Sequence, residues 1–287
     1  DLFFIKKNLK SKFNNLSAKI HYIDHHLSHQ LYAEKIKNWN NFIGLSYDGG
    51  GEVYSTFLYA FNNGERQMLS RHKWPNSLGH FYSTFTSFLG FEILEGEYKM
   101  MGLAPYGSPK YKDIILNNIL KLNDDGTYIL DTKICDYHLA LRNKFTKKMI
   151  NLFGKPRIKN KKLLQRHVDI AASVQYVFEI TLIHLLKSAK LKFPLINKLV
   201  LSGGCALNVT ANGELLKSNL FKEIIIPPAP HDAGCAIGAV IAGIENKFKL
   251  DLNSIRNPYL GQNYSSDSIL KEISEFTDFI PKKLDDI

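Results

Sequence analysis

Between Leu16 and Lys37 the apolar positions Leu16, Ile20, Ile23, Leu27, Leu31 and Ile36 recur at mostly helical spacing, which predicts a short strand or turn leading into a helix. Asn38 to Asn41 break that pattern, and Phe42-Ile43-Gly44-Leu45-Ser46-Tyr47-Asp48 follows as a buried strand ending in a glycine turn. Val53 to Phe61 alternates as the partner of a hairpin, Asn62-Asn63-Gly64 closes the next turn, and Arg66 to Trp74 supplies a third strand. Ser77 to Phe91 reads as a helix packed on the sheet, followed by a loop rich in glycine and charge. Further on come a helix at Tyr111–Leu120, a short hairpin at Gly126–Ile134 and a long amphipathic helix at Val168–Lys190 free of glycine and proline. Two strand–turn–helix units end the pattern: Lys198–Gly204 into a helix from Ala206, and Glu223–Ile226 into Pro227 with a helix from Asp232. The tail from Asn257 to Ile287 carries one more helical stretch, Ser265–Phe276.

Three strands able to pair antiparallel, then alternating helices and strands, describe an α/β arrangement: a mixed β-sheet with flanking helices. This is the element order of one lobe of the actin-like ATPase (ribonuclease H-like) fold. With 287 residues and 45% hydrophobic content the chain can build a substantial core. No run of 18 apolar residues occurs, and Asp1-Leu2-Phe3-Phe4-Ile5-Lys6-Lys7 has none of the features of a secretory signal, so a cytoplasmic setting without a membrane is expected. The chain begins without Met inside a lysine-rich helical pattern, and the expectation is a piece of a longer protein. Cys135, Cys205 and Cys235 are widely spaced with no Cys-x-x-Cys pair, which supports neither a disulfide framework nor a thiolate zinc site.

The net charge of +10 has one source. Arg142 to Arg166 holds ten basic residues and no Asp or Glu, and the rest of the chain is balanced at 27 basic against 27 acidic. Such a segment is either a solvated surface loop or a patch facing phosphate or RNA.

Candidate chemistry sits at the ends of the predicted elements. His25 and His29, one turn apart on one helix face, can reach a single divalent metal, although such a pair is also a common accident of a helix surface. Asp48 and Asp232 each end a predicted strand, where side chains face the cleft of an α/β sheet. Mixed His and Asp ligands suit iron, manganese or zinc better than calcium or magnesium. Gly49, Gly50 and Gly51 either let backbone amides approach a phosphate or make a hairpin turn that needs positive φ. Gly203 and Gly204 open a helix whose N-terminus favours an anion. Neither a Walker lysine nor the dinucleotide fingerprint is present. In Gly96-Glu97-Tyr98-Lys99-Met100-Met101-Gly102-Leu103-Ala104-Pro105-Tyr106-Gly107, Glu97 and Lys99 either hydrogen-bond a ribose or phosphate or form a solvated ion pair. Cys205 lies near a helix start with no base close in sequence, and reads as a packed cysteine.

His25-His26-Leu27-Ser28-His29, Tyr47-Asp48-Gly49-Gly50-Gly51-Glu52, the Gly96–Gly107 block, Leu201-Ser202-Gly203-Gly204-Cys205-Ala206-Leu207-Asn208 and Pro227-Pro228-Ala229-Pro230-His231-Asp232-Ala233-Gly234 together resemble the signature blocks of the NodU-type O-carbamoyltransferases. The resemblance spans residues 21–242. It implies an actin-like domain related to tRNA threonylcarbamoyl transferases and hydrogenase-maturation carbamoyltransferases. Carbamoyl phosphate and ATP would form carbamoyl adenylate, and the carbamoyl group would pass to the hydroxyl of a small acceptor beside a bound metal, usually iron. His25, His29, Asp48 and Asp232 would be the metal ligands. Gly49 to Gly51, Gly203, Gly204, Glu97, Lys99 and Asn208 would hold the adenylate. His26 or His231 would take the hydroxyl proton or else be structural histidines.

The same resemblance divides the chain into 1–40, the remnant of a first lobe carrying the metal-binding helix; 41–250, a second actin-like lobe; and 251–287, a linker into a truncated domain that makes the adenylate. No nucleic acid is expected as a partner, and a homodimer is compatible with these residues. Two other readings stand beside it: a tRNA threonylcarbamoyladenosine-type transferase served by the basic segment, and a non-catalytic actin-like scaffold that binds nucleotide.

Overall fold

Strand β1 (Asn41–Tyr47) is buried at every position after Asn41 because it is covered on both faces, the condition that turns an alternating pattern of burial into a continuous one. Its alternate residues go to different cores. Ile43, Leu45 and Tyr47 join the large cluster, while Phe42 joins a smaller one with Ala33, Tyr59 and Val200. The computed structural model describes residues 2–13, 19–244, 259 and 261–275. Helices α1 (Leu2–Lys12) and α2 (His25–Lys35) precede β1. Antiparallel β2 (Tyr54–Asn62) and β3 (Glu65–Lys73) follow, with Leu45 opposite Leu58.

Beyond β3 come α3 (Leu78–Phe88), α4 (Glu97–Leu103), a 3₁₀ turn (Ala104–Tyr106) and α5 (Lys112–Asn118). Next are the small hairpin of β4 (Leu120–Leu122) and β5 (Tyr128–Leu130), α6 (Tyr137–Ala140) and α7 (Lys147–Phe153). The long α8 (Gln165–Lys192) leads to β6 (Lys198–Ser202), a 3₁₀ turn (Gly204–Leu207), α9 (Val209–Lys217), β7 (Glu223–Ile225), α10 (Asp232–Ile244) and α11 (Ser266–Ser274).

Strands β6 and β7 add in parallel on the other side of β1, giving the sheet order β3-β2-β1-β6-β7. One face carries α3 and α8, whose Phe81, Phe85, Phe178 and Leu182 are fully buried against Ile43, Leu58 and Leu201. The other face carries α2 and α10. This is the expected α/β arrangement, a mixed sheet with flanking helices. Helix α8 is the one helix among the described residues long and apolar enough to cross a bilayer, and 67% of its most apolar stretch is buried inside the fold.

Several elements differ from the sequence reading. The stretch read as a charged loop after α3 contains α4, which follows an N-cap at Gly96 and is carried by Met100, fully buried in the main core. A helix of seven residues is too short for periodicity to reveal it. The hairpin expected at 126–134 is made instead by β4 and β5, because Leu120 and Leu130 pair and bury together. The basic segment is not one solvated loop. Thr146 caps α7, Arg157 donates to the Leu89 carbonyl, Arg166 donates to the carbonyls of Phe153 and Lys155, and Lys159 pairs with Glu92.

Since Ala33 of α2 packs on Phe42 and Val200, the division expected at residue 40 is not a break in packing. The unit expected at 251–287 lies outside the described residues apart from Tyr259 and 261–275.

Asp169 fastens the Gly96–Gly107 block to α8. Its buried carboxylate accepts from the Ser108 amide at 3.0 Å, Gln165 Nε2 at 3.0 Å and Lys110 Nζ at 2.8 Å. The hydrogen bond from Lys110 is the main reason its pKa falls to about 2, below the ~3.9 of an unfolded Asp. A depressed folded pKa stabilises above the unfolded value and loses that contribution as pH falls toward the folded one. Asp169→Asn is therefore expected to cost about 1–2 kcal/mol at neutral pH in urea unfolding, with the difference from wild type closing between roughly pH 4 and pH 2.

Candidate metal centre and adjoining cavity

Asp24 caps α2 by accepting the Leu27 amide at 2.8 Å, so helical geometry begins at His25 and places His29 one turn above it. The two rings meet at 4.6 Å between centroids, with their Nε2 atoms 3.2 Å apart. Asp48, just past β1, brings Oδ2 to 3.0 Å from His29 Nε2 and 3.8 Å from His25 Nε2. Asp232, the first residue of α10, brings Oδ1 to 3.5 Å and 3.7 Å of the same two nitrogens. The structure thus gathers His25, His29, Asp48 and Asp232, taken from two helices and a strand end.

The spacing fits a metal. Neighbouring donors around an ion with ~2.1 Å bonds stand roughly 3.0–3.4 Å apart in octahedral or tetrahedral geometry, and imidazole with carboxylate is a donor set for zinc, iron or manganese. Two carboxylates facing two imidazoles also define the electrostatics. Burial works against a charged His29, but hydrogen bonds to Asp232 and Asp48 outweigh it and lift its pKa to about 11. Burial likewise opposes ionisation of Asp48, yet the contacts from His25, His29 and the Gly204 amide hold its carboxyl far below the ordinary range. The hydrogen bond with His29 also lowers Asp232.

The glycine turns serve this centre more than an open phosphate cradle. Gly49 donates its amide to Asp48 Oδ1 at 2.6 Å, and Gly204 donates to Asp48 Oδ2 at 2.9 Å. Gly203 makes the second contact reachable: it has φ +89°, and a Cβ there would collide with the Tyr47 carbonyl. None of Gly49, Gly50 and Gly51 has positive φ, so the conformational reason for a triple glycine does not hold. Close approach replaces it at two positions. A Cβ on Gly51 would lie 3.1 Å from the His25 ring, and one on Gly50 would lie 2.8 Å from Trp74.

His26 faces the other way. Its Nδ1 is 2.8 Å from Ser46 Oγ, its Nε2 is 2.9 Å from the Tyr54 carbonyl, and the ring stacks on Phe57. It is 1% exposed, and burial pulls its pKa down to about 4. With both nitrogens engaged it pins α2 to the sheet and does not reach the cavity.

A cavity of about 490 Å³ opens beside Asp48 and Asp232. Gly49, Glu97, Gly204, Asn208 and His231 line it, and the fold adds Tyr82, Tyr98, Met101 and Phe178. Glu97 is held there by the Ser83 hydroxyl at 2.7 Å and the Leu94 amide at 3.0 Å. Asn208 spends its amide on the fold, capping α9 through the Ala211 amide and pairing with Gln175. Lys99 is not among the lining residues; it is exposed, with Nζ 5.6 Å above the Tyr98 ring. His231 is on the cavity wall, and its Nδ1 accepts from the Ala233 amide at 3.2 Å.

One member was not foreseen. Cys235, one turn after Asp232 on α10, places Sγ in a group with His25, His29 and Asp232 whose donor atoms all lie within 4.8 Å of one another. The spacing of three residues after Asp232 was the available signal.

A family described as Carbamoyltransferase N-terminus matches residues 4–241. An uncharacterized protein of Synechocystis is 40% identical over 256 residues, covering 86% of this chain and 41% of that protein. The nodulation protein NolNO of Sinorhizobium fredii is 34% identical, covering 78% of this chain and 31% of that protein. The nodulation protein NolO of Bradyrhizobium diazoefficiens is also 34% identical, covering 76% and 38%. The chain spans less than half the length of these relatives.

Helices α2 and α10 approach closely enough to share a cluster because Gly238 sits on the Ser28 carbonyl and Gly234 on the Tyr32 ring, positions where a Cβ would clash. Gly238→Ala is expected to destabilise by about 1–3 kcal/mol in urea unfolding. Gly243→Ala, on the same helix with nothing within 4 Å of its Cβ, is expected to stabilise by about 0.5–1 kcal/mol.

Proposed function

Because the chain belongs to the carbamoyltransferase family, we propose that it carries the transfer site of an enzyme that moves a carbamoyl group from carbamoyl adenylate to a hydroxyl of a small acceptor. Carbamoyl phosphate and ATP are the sources of the adenylate in this reading. The observation that carries it is a donor cluster with metal-ligand spacing on the wall of a cavity large enough for a small ligand.

The acceptor oxygen attacks the carbamoyl carbon, a new C–O bond forms, and the bond from that carbon to the phosphate oxygen breaks as AMP leaves with the electron pair. His231 takes the hydroxyl proton: it is the imidazole on the wall, and its 3.2 Å contact to the Ala233 amide is long enough for a moving proton to replace. His26 is left out, since both its nitrogens are bonded inside the fold. Glu97, oriented by Ser83 and the Leu94 amide, offers a carboxylate to a ribose hydroxyl. A divalent ion held by His25, His29, Asp48 and Asp232 would supply Lewis-acid polarisation of the carbamoyl oxygen. Tyr82, Met101 and Phe178 keep water from that part of the cavity, which protects the adenylate from hydrolysis.

The test is mass spectrometry of hydroxyl acceptors incubated with the full-length protein, carbamoyl phosphate and ATP, reading the mass of one added carbamoyl group. Asp232→Ala is expected to abolish the product together with bound metal, and His231→Gln to lower the rate by roughly 10²–10⁴ with metal content unchanged. Product that forms without ATP, or at full rate in Asp232→Ala, rejects the reading.

A further inference from the structure

We propose that Cys235 is a further donor to the metal cluster, making it a mixed nitrogen, oxygen and sulfur site that selects zinc, cobalt or iron over manganese or magnesium. This rests on reading the cluster as a metal centre, and goes beyond it in naming the residue that sets which ion is preferred.

Position comes first. Asp232 and Cys235 are three apart on α10, so both side chains leave the same helix face. That face is pressed toward α2 by Gly234 against Tyr32 and Gly238 against Ser28. Gly234 and Gly238 thus bring the part of α10 that carries Cys235 close against α2, where the histidines stand. The result is the four-donor group of His25, His29, Asp232 and Cys235 within 4.8 Å. A sulfur and a nitrogen on one tetrahedral zinc ion stand ~3.6 Å apart at ordinary bond lengths, so the most distant donors of the group close on one ion by moving about an ångström.

The sulfur is also available. Cys235 is unpaired by disulfide and half-buried; its Sγ makes a long 3.9 Å contact to the His25 carbonyl and comes within hydrogen-bonding reach of His29. Cys205 and Cys135 differ: Cys205 lines the cavity and packs on the main core, Cys135 lies within that core, and burial pushes both thiols up.

Ligand softness supplies the selectivity. Two imidazoles and two carboxylates accept manganese as well as zinc, though more weakly along the ordinary affinity series, and a thiolate widens that gap: it favours zinc, cobalt and iron and contributes little to manganese or magnesium. On binding, the S–H bond gives its proton to solvent and the sulfur electron pair to the ion.

Cobalt titration of the metal-free protein tests this by absorption. Wild type is expected to develop both visible ligand-field bands and a near-ultraviolet thiolate-to-cobalt charge-transfer band. Cys235→Ser and Cys235→Ala are expected to keep the visible bands, lose the charge-transfer band, and lose about tenfold or more in zinc affinity while manganese affinity changes less than about twofold. Cys205→Ser is expected to keep both bands. Cobalt uptake by wild type without the charge-transfer band, or a band that survives in Cys235→Ala, overturns the role of Cys235 and leaves the metal reading standing. No cobalt uptake by wild type overturns the metal reading itself.

Discussion

Everything in this site hangs on the carboxylate of Asp48. It stands at the end of the central strand, and four groups converge on it: the His25 and His29 rings of α2 and the amides of Gly49 and Gly204. Those groups come from three parts of the chain: α2, the turn after β1 and the turn after β6. The amide of Gly204 arrives because β6 runs parallel to β1 with Ser46 opposite Ser202, so the two strands end side by side and their turns meet. A negative charge buried this deeply is costly unless its oxygens are occupied, and the fold occupies them with two backbone donors and two imidazoles. The same donors that relieve that cost also fix the direction in which the remaining lone pairs face.

Helix α2 must be held rigidly for the histidines to meet Asp48, and buried polar contacts hold it at both ends. Near its start His26 bridges Ser46 and the Tyr54 carbonyl. Near its end the Glu34 carboxylate accepts from the Tyr59 hydroxyl at 2.8 Å and pairs with Arg66. Apolar packing of Ala33 on Phe42 and Val200 would let the helix slide, but a shift of one residue would break every one of these polar contacts. His26 and His29, three residues apart, thus divide the labour. One secures the helix to the sheet, and the other presents its nitrogen to the carboxylates.

How much of this was legible in the sequence depended on distance along the chain. The strands, their order and the long α8 follow from local periodicity, and the pair His25 and His29 follows from helical spacing. Asp48 could be named because it stands at the end of a strand, a position with a known direction in an α/β sheet, whereas Asp232, expected at a strand end, opens α10 seven residues past β7. What the pattern could not reveal were the contacts between distant segments. Gly49 to Gly51 looked like a phosphate loop, yet their use became visible only when Trp74 and His25 were placed against them. Asn208 looked like a ligand-binding side chain, and its partner Gln175 lies on a different helix. Cys235 was grouped with two other cysteines by residue type, whereas its meaning comes from the packing of α10 on α2.

The cavity joins two unlike environments, and its chemistry follows from that junction. On one side are ionised carboxylates and imidazoles; on the other are Tyr82, Met101 and Phe178, backed by the main core. An apolar wall excludes water and lowers the local dielectric, so charges at the cluster act more strongly on a group lodged between the two sides than they would in solvent. The interaction between Tyr82 and Gln175 and that between Gln175 and Asn208 run behind this wall and keep it from yielding. Ionised groups are thus concentrated where Asp48 and Asp232 meet the cavity, while Ser83, Glu97 and Asn208 place further polar groups elsewhere on its lining.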